Sequence, residues 1–349
     1  MFGSYYKNKK VLVTGHTGFK GSWLCQWLLQ LGADVCGVSL EPNSSPALFN
    51  VLRLDKKLEH HIENILNAEK LDAIFENYQP EIVFHLAAQP LVRLSYDEPK
   101  LTWETNVIGT VNVLEAVKKT ESVNSCIVIT TDKCYENKEW CWGYRETDHL
   151  GGHDPYSASK GAAEIVVSSY RRSFLQERNC KVASARAGNV IGGGDWSKDR
   201  IVVDFVKSIE KNEPVYLRNP KATRPWQHVL EPLSGYLTLP VKLNESVDLV
   251  GAYNFGPKDD SVIEVESLAK KLVKSWGKGL VEITGNKNQP HEANLLKLDC
   301  SKAKALLGWE PKWGIDRTVE ATVEWYSSFY DKKGMEELTS KQIKKYQTS

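Results

Sequence analysis

A glycine-rich turn between a predicted strand and a predicted helix constrains the fold of this chain more than any other feature. The strand is the apolar run Lys9–Thr14, and the helix follows with apolar residues at helical spacing in Trp23–Leu31. Between them lie Gly15, Gly18 and Gly21, in the order that a dinucleotide-binding turn requires. Glycine there allows a tight turn, a close approach of the backbone to a pyrophosphate, and close packing of helix on strand. Although the spacing is GxxGxxG and not GxGxxG, the turn predicts a dinucleotide site at the helix N-terminus.

Strands and helices continue to alternate through the first half of the chain. Further strands are predicted at Asp34–Ser39, Lys57–Ile62, Glu81–Ala88, Cys126–Thr131 and Lys181–Ala187, and helices at Ala68–Tyr78, Leu101–Lys119 and Tyr156–Leu175. This alternation predicts an α/β fold with a doubly wound, parallel, Rossmann-like sheet.

The alternation loosens after Gly188, which predicts a second, smaller domain. We expect a dinucleotide-binding domain over residues 1–188, with elements near 228–256 that return to it. Residues 189–330 are the predicted α/β substrate domain, interleaved with the first and opening on a helix at Ile201–Lys211. Residues 331–349 are rich in lysine and polar, and are predicted to be a frayed tail.

Tyr156 and Lys160 stand four residues apart, so a helix would present both on one face. A nearby ammonium lowers the pKa of a phenol, which predicts a general base able to take a proton from an alcohol. This spacing alone occurs by chance in many helices. A polar cluster of Thr131, Asp132 and Lys133 follows the Cys126–Thr131 strand, at the strand end where open α/β sheets bind ligands. The neighbouring Thr130 is expected only to satisfy loop backbone.

Charge and cysteine content exclude several classes of partner. In 349 residues, 45 basic and 44 acidic side chains leave a net charge of +1, so bulk attraction to nucleic acid or to an anionic membrane is not expected. The seven cysteines lack paired metal-ligand spacing, and no signal segment or membrane-length apolar run is recognisable. We therefore expect a reduced, cytoplasmic enzyme without a metal site.

Taken together, the motifs resemble the extended short-chain dehydrogenase/reductase family of NAD-dependent epimerases and dehydratases. Its signature is the glycine turn, Thr131, Tyr156 and Lys160, in this order. Longer runs are similar to the nucleotide-sugar 4,6-dehydratases of that family: Val13–Trp23, Ala87–Arg93, Thr131–Tyr135, Ala187–Trp196 and Arg224–Pro232. The resemblance implies tightly held NAD and the dehydration of CDP-glucose to CDP-4-keto-6-deoxyglucose. It also implies a homodimer or higher oligomer built through two helices of the dinucleotide domain, and a place in deoxysugar biosynthesis for surface lipopolysaccharide.

The same resemblance implies roles for the polar residues. Tyr156 takes the proton of the sugar 4-hydroxyl, Lys160 lowers the pKa of Tyr156 and holds the nicotinamide ribose, and Thr131 hydrogen-bonds the reacting oxygen. Asp132 is the candidate acid for the departing 6-hydroxyl, which requires a pKa raised by burial. Lys133 stands where related dTDP-glucose dehydratases have glutamate. It is either the base for the carbon-5 proton or a group that stabilises the enolate or anchors the sugar.

Candidate cofactor contacts beyond the glycines fall in four segments. They are Thr17, Phe19 and Lys20 in the turn; Asn64 and Ile65, where the family commonly has Asp-Ile beside the adenine; Leu86, Ala87, Ala88 and Gln89; and Asn106. The candidate substrate contacts are Arg93, Asn189, Arg224 and His291. His85 is expected to be structural. NAD is favoured over NADP because an internal redox cycle releases no reducing equivalent, although the only acid near the second strand is Glu41 and Lys20 leaves NADP open.

Other functions share part of this pattern. A nucleotide-sugar 4-epimerase would not need an acid–base pair after Thr131, so Asp132 and Lys133 favour a dehydratase. A dinucleotide-sensing binding protein without catalysis would be expected to lose Tyr156 or Lys160, and this chain keeps both. A dehydratase that acts on another nucleotide-glucose stays open, because no residue reads the base in a way that follows from chemistry alone.

Overall fold

The computed structural model describes residues 1–178, 180–198, 200–217, 219–283 and 295–349. The strands are β1 (Lys10–Thr14), β2 (Asp34–Ser39), β3 (Glu59–Ile62), β4 (Ile82–His85), β5 (Ser125–Ile129), β6 (Lys181–Ala187), β7 (Val190–Ile191), β8 (Val215–Leu217), β9 (Thr223–Pro225), β10 (Gln227–His228), β11 (Gly251–Phe255), β12 (Val262–Glu264) and β13 (Val281–Ile283). The α-helices are α1 (Phe19–Gln30), α2 (Leu48–Val51), α3 (Ala68–Tyr78), α4 (Val92–Asp97), α5 (Pro99–Trp103), α6 (Gly109–Lys119), α7 (Pro155–Tyr170), α8 (Ile201–Lys211), α9 (Leu230–Glu245), α10 (Val265–Trp276), α11 (Ile315–Tyr330) and α12 (Met335–Thr348).

A seven-stranded parallel sheet positions the site, with the strand order β11-β6-β5-β4-β1-β2-β3. The predicted doubly wound parallel sheet is therefore confirmed. Its inner strands β4 and β5 are buried along their whole length, as expected for strands covered by helices on both faces. The order reverses between β1 and β4, which pair with each other, and this is the point where such sheets open a ligand-binding crevice.

Two apolar clusters cover the two faces of the sheet. One contains buried side chains of α3, α6 and α7, such as Phe75, Leu114 and Val167. The other is larger and joins α1 and α9 to the C-terminal helices, through side chains such as Trp23 and Leu237. Because α9 packs on β5 and β6, it holds the second half of the chain against the strands that carry the site.

The predicted helix over residues 101–119 is interrupted by a π-helical turn. Residues Glu104–Ile108 form this turn, between α5 and α6. π-turns inside helices are frequent at functional sites. Here the turn carries the buried Asn106, which makes the contacts to the site described below.

The C-terminal segment corrects the prediction of a frayed tail. Residues 335–348 form α12, and its side chains Met335, Ile343 and Tyr346 are buried in the larger apolar cluster. Tyr346 Oη donates to Glu231 Oε2 over 2.6 Å, and the backbone N–H of Trp313 donates to Glu231 Oε1 over 2.6 Å. The polar composition concealed a single apolar stripe, which is enough to dock a helix. In the described part of the chain, no helix combines the length and apolarity needed to cross a membrane.

Candidate active site

The glycine turn follows β1 at the crevice. Gly15 has φ +75°, and a Cβ on it would lie 2.7 Å from the backbone N of Ala87. A Cβ on Gly21 would lie only 2.1 Å from the carbonyl O of Gly15, so both positions require glycine. Gly18 is exposed and caps α1 without a side-chain hydrogen bond to the first turn. The first amides of α1 therefore remain available to an anion, as the prediction of a pyrophosphate site requires.

Thr17 connects this turn to the end of β2. Its Oγ1 lies 2.8 Å from Ser39 Oγ and donates to the carbonyl O of Leu40 over 2.9 Å. Phe19 extends toward Gly192, where an added Cβ would lie 3.3 Å from its ring. Both side chains shape the turn, and a direct contact of either with the cofactor stays a prediction.

The segment after β4 is held by a chain of buried hydrogen bonds. Thr14 Oγ1 lies 2.7 Å from His85 Nδ1 and accepts from the backbone N–H of Ala87 over 3.2 Å. On its other side, His85 Nε2 lies 3.1 Å from Thr110 Oγ1. Burial, aided by the charge of Lys160, lowers the pKa of His85 to about 3 and keeps the ring neutral. The expectation of a structural histidine is confirmed.

Gln89 and Asn106 hold the loop after β4 against α7. Asn106 Oδ1 accepts from the backbone N–H of Gln89 over 2.8 Å, and its Nδ2 donates to Ser159 Oγ over 2.9 Å. Ser159 Oγ in turn donates to the carbonyl O of Tyr156 over 2.7 Å. Gln89 Nε2 donates to Thr102 Oγ1 over 2.8 Å. The side-chain amides of Gln89 and Asn106 thus position the helix that carries Tyr156. A contact of these two residues with the cofactor stays a prediction, as do the contacts of Leu86, Ala87 and Ala88.

Asn64 and Ile65 follow β3 at the same edge of the sheet. Asn64 Oδ1 accepts from the backbone N–H of Leu66 over 3.0 Å. The Ile65 side chain is buried against the start of α6, where a Cβ on Gly109 would come within 2.4 Å of it. Asn64 and Ile65 thus lie in the loop after β3, and their predicted contact with the adenine stays a prediction.

Helix α7 presents Tyr156 and Lys160 together at the end of β5, as predicted. Its N-cap is Asp154, which accepts from the backbone N–H and the hydroxyl of Ser157 over 2.9 and 2.6 Å. Both predicted catalytic side chains are buried. Tyr156 forms a hydrogen bond with Thr131, and Lys160 Nζ donates to the carbonyl O of Ile129 over 3.3 Å.

The predicted low pKa of Tyr156 requires a correction for the protein alone. Burial dominates and raises the pKa of Tyr156 to about 12, opposed first by the hydrogen bond with Thr131 and then by the charge of Arg200. Lys160 itself is buried, and burial together with the charge of Lys20 lowers its pKa to about 8. Lys160 Nζ is held by the Ile129 carbonyl, and its effect on the pKa of Tyr156 stays a prediction.

Asp132 and Lys133 lie in a short 3₁₀ turn, Asp132–Cys134, that Thr131 caps. Thr131 Oγ1 accepts from the backbone N–H of Lys133 over 3.3 Å and donates to Asp132 Oδ1 over 3.0 Å. Burial raises the pKa of Asp132, against the charges of Lys133 and Arg224 and the hydrogen bond from Thr131. The raised pKa that the acid role requires is therefore present. Lys133 is half-buried beside it.

Glu164, one helical turn after Lys160, is a buried residue that the sequence analysis missed. It accepts from Arg186 Nη2 and from Ser184 Oγ, each over 2.7 Å, and also from Thr130 Oγ1. Thr130 therefore binds a carboxylate and does not merely satisfy loop backbone. Burial alone would raise the pKa of Glu164, but Arg186 and these donors lower it below its ordinary value. The spacing of four residues from Lys160 was the available signal.

The candidate substrate contacts are brought together in part. Arg224 lies on β9, donates from Nη1 to the carbonyl O of Thr223 over 3.0 Å, and its charge acts on Asp132. Asn189 directly precedes β7, and its carbonyl O accepts from the backbone N–H of Gln227 over 3.0 Å. Arg93 lies on α4, which packs against α7. His291 lies outside the described residues.

Three metal-ligand-type side chains approach one another away from this site, on β2 and β3. The ligand atoms of Cys36, Glu59 and His61 lie within 4.8 Å of each other. His61 Nε2 and Glu59 Oε1 are already 2.8 Å apart, the length of an ordinary hydrogen bond. The group has no part in the site at the crevice.

Comparisons with known proteins agree with this geometry. Residues 12–322 match the family model described as GDP-mannose 4,6 dehydratase. A CDP-glucose 4,6-dehydratase of Salmonella typhimurium is 47% identical over 352 residues, which cover 99% of this chain and 98% of that protein. A dTDP-glucose 4,6-dehydratase of Escherichia coli is 26% identical over 91% of this chain and 93% of its own length.

Among solved structures, a UDP-glucose 4-epimerase of Thermus thermophilus in complex with NAD superimposes with a TM-score of 0.77. It is 26% identical, and the match covers 91% of this chain and 99% of that chain. The overall fold is thus shared with a solved nucleotide-sugar epimerase. This chain belongs to the GDP-mannose 4,6 dehydratase family.

Proposed function

We propose that this chain is an NAD-dependent hydro-lyase that converts CDP-glucose into CDP-4-keto-6-deoxyglucose and water. One observation carries the proposal: a buried carboxyl with a raised pKa, Asp132, adjoins the Thr131 hydroxyl that hydrogen-bonds Tyr156. An oxidation at carbon 4 needs only Thr131, Tyr156 and Lys160, whereas elimination also needs an acid. The CDP-glucose 4,6-dehydratase of Salmonella, identical at 47% of positions, supports CDP-glucose as the substrate.

The residues at the crevice fit a dinucleotide. Side chains at Gly15 and Gly21 would fill the turn, and α1 begins there without a side-chain cap. When bound, NAD supplies an acceptor for the carbon-4 hydride and later returns that hydride to carbon 6. Lys20 interacts electrostatically with Asp132 and Lys160, and the preference for NAD over NADP rests on the internal redox cycle.

In the oxidation step, Tyr156 takes the proton of the sugar 4-hydroxyl and Thr131 orients the same oxygen. Tyr156 is a buried phenol with a pKa of about 12 in the protein alone, so a phenolate there needs the stabilisation of Thr131 and the nearby cations. Lys160, held beside the Ile129 carbonyl, can bind a ribose hydroxyl and compensate the phenolate charge.

In the elimination step, the new ketone acidifies carbon 5. The proton of carbon 5 passes to the neutral amine of Lys133, the candidate base, which becomes an ammonium, and the electron pair of that bond moves into the bond between carbons 4 and 5. Asp132, protonated because it is buried, then gives its proton to the 6-hydroxyl as the bond from carbon 6 to oxygen breaks and water leaves. A raised pKa is what an acid in this position requires.

The two regions of the chain have separate tasks in this proposal. Residues 1–188, with the returning elements near 228–256, bind NAD, and residues 189–330 bind the nucleotide diphosphate of the substrate. Arg224 is the strongest candidate for a phosphate contact, because its guanidinium already lies near Asp132. Asn189 and His291 are the further proposed contacts from this region, and Arg93 on α4 is a proposed contact from the first region.

We also propose that the enzyme is a homodimer in the cytoplasm. Exposed apolar side chains stand on the helices of the dinucleotide region: Trp103, Ile108, Ile165 and Phe174. A second copy of this chain would cover them. The seven cysteines, all within the described residues, are free, as is common in a reducing compartment. Sedimentation of Ile165→Lys against wild type tests the dimer: a monomeric variant supports it, and a monomeric wild type refutes it.

The function is tested by incubating the purified protein with CDP-glucose and following the alkali-induced absorbance of a 4-keto sugar. Parallel samples with dTDP-, GDP- and UDP-glucose test the choice of base. We expect product from CDP-glucose without added reductant. Formation of CDP-galactose without a keto product would identify a 4-epimerase, and the absence of turnover with every nucleotide-glucose would refute a dehydratase.

A further inference from the structure

Tyr236 carries a buried hydroxyl that lacks a partner. The side chain lies on α9, is fully buried, and meets Phe255 edge to face at 5.9 Å between ring centroids. Among the residues that the structure describes, nothing forms a hydrogen bond with its Oη. Leaving a buried hydroxyl unpaired lowers the stability of the fold. A catalytic role is one of the recognised reasons for a protein to retain such a group.

The surroundings of Tyr236 are those of the catalytic site. Burial, then the charges of Tyr156 and Asp132, raise the pKa of Tyr236. Helix α9 packs directly on β5, the strand that ends just before Thr131. The unpaired hydroxyl therefore lies on the helix that packs against the strand leading to Thr131, within electrostatic range of the groups assigned to carbon 4 and carbon 6 of the sugar.

Lys20 reaches the same place from the first turn of α1. Its Nζ lies 6.0 Å from the centroid of the Tyr236 ring. Its ammonium is attracted by Asp132 and Asp195 and repelled by Arg200 and Lys160. The Lys20 ammonium therefore lies beside the Tyr236 ring and within electrostatic range of Asp132 and Lys160.

We propose that Lys20 and Tyr236 are two further catalytic residues, which bind the sugar between carbons 4 and 6 and stabilise the enolate formed during elimination. The inference rests on the proposed dehydratase function. In the proposed function, Tyr156 and Thr131 act on the oxygen of carbon 4, and Asp132 acts on the hydroxyl of carbon 6. Groups that adjoin both therefore face the bonds between these carbons.

Lys20 and Tyr236 contribute to elimination by stabilising the negative charge that develops on the sugar. As the carbon-5 proton passes to Lys133, negative charge develops on the carbon-4 oxygen, where the Lys20 ammonium attracts it and the Tyr236 hydroxyl donates a hydrogen bond. The charge is lost again when the bond from carbon 6 to oxygen breaks and water leaves with the proton of Asp132. Donors aimed at charge that exists only in the transition state are each worth about 10²–10³-fold in rate.

The test compares Tyr236→Phe, Lys20→Met and Lys20→Arg with wild type in single turnovers of the NAD-loaded enzyme on CDP-glucose. Two signals separate the steps: the absorbance of reduced cofactor, which reports oxidation at carbon 4, and the incorporation of deuterium from heavy water at carbon 5. We expect oxidation to persist in all three variants. Elimination should slow about 10²-fold in Tyr236→Phe and Lys20→Met, so that reduced cofactor accumulates, and Lys20→Arg should regain part of the rate because it keeps the charge.

Stability and cofactor affinity distinguish this role from a structural one. Since Tyr236→Phe removes a hydroxyl that has no partner, its melting temperature should equal or exceed that of wild type. The matched control is Tyr253→Phe, which loses the 2.7 Å hydrogen bond to the Leu249 carbonyl and should lose stability without any change in elimination.

Two results would overturn the inference. One is elimination by Tyr236→Phe at the wild-type rate, and the other is a loss of NAD affinity in Lys20→Met that explains its whole defect. A wild-type protein that forms no keto sugar refutes the dehydratase function and this inference together. Wild-type turnover with unaltered variants refutes the inference alone.

Discussion

Replacing Glu164 by glutamine should destabilise the fold strongly while preserving the shape of the side chain. The carboxylate is buried with Arg186, and both side chains are only 3% exposed. Glutamine keeps two hydrogen-bonding groups but leaves the Arg186 guanidinium as an uncompensated buried charge. Breaking such a pair from one side costs about 3–5 kcal/mol. We expect the free energy of unfolding to fall by that amount at pH 7, measured by urea denaturation at fixed protein concentration.

The pH dependence of this difference gives a second check. The pKa of Glu164 is lowered in the folded state by Arg186 and its hydrogen-bond donors, so its stabilisation is fully present above the ordinary carboxyl pKa. As the pH falls through the lower pKa of the folded state, the carboxyl becomes protonated and the stabilisation is lost. The gap between wild type and Glu164→Gln should therefore be constant from pH 7 to about pH 5 and shrink below that.

Matched variants show whether burial of the Glu164–Arg186 ion pair causes the loss of stability in Glu164→Gln. Glu245→Gln removes an exposed ion pair with Lys242, of 2.8 Å, and should cost less than about 1 kcal/mol. The double variant Glu164→Gln/Arg186→Met should be more stable than Glu164→Gln alone, because no buried charge is left unpaired. A cost below about 1 kcal/mol for Glu164→Gln, or a gap that grows as the pH falls, would refute this reasoning.

Three further predictions concern the site. Tyr156→Phe should reduce turnover at least about 10²-fold while NAD affinity, measured by fluorescence titration, stays near that of wild type; activity above about one per cent would contradict the assignment of the base. Asp132→Asn should still oxidise carbon 4 but slow elimination, seen as accumulated reduced cofactor in single turnovers, whereas unchanged elimination would exclude Asp132 as the acid. Gly21→Ala places a Cβ 2.1 Å from the Gly15 carbonyl and should lower both the melting temperature and NAD affinity, while Gly334→Ala, with open space around it, should change neither.

Features that depend on local spacing could be predicted from the sequence. The glycine turn lies between adjacent elements, and Tyr156 and Lys160 share one face of α7 because their spacing matches one helical turn. The order of alternating strands and helices predicted the parallel sheet, since parallel strands need such crossovers.

Features that depend on distant contacts could not be predicted. Glu164 acquires its role from Arg186 and Ser184, on a strand that only the sheet brings near. From the sequence, Lys20 is predicted to belong to the cofactor-binding turn. Its position over the Tyr236 ring depends on the packing of α1 against α9. Burial also raises the pKa of Tyr156, where the sequence predicted a lowered pKa. The cost of desolvating a phenolate depends on all the residues that surround it.

The most direct test of the proposed chemistry follows the hydrogen that leaves carbon 4. CDP-glucose deuterated at carbon 4 is mixed with the purified enzyme and unlabelled NAD, and the product is analysed by mass spectrometry and NMR. We predict that the deuterium appears at carbon 6 of a 4-keto-6-deoxy sugar, within the same molecule. Deuterium retained at carbon 4 of an epimerised sugar, or a product without deuterium at carbon 6, would contradict the dehydratase mechanism.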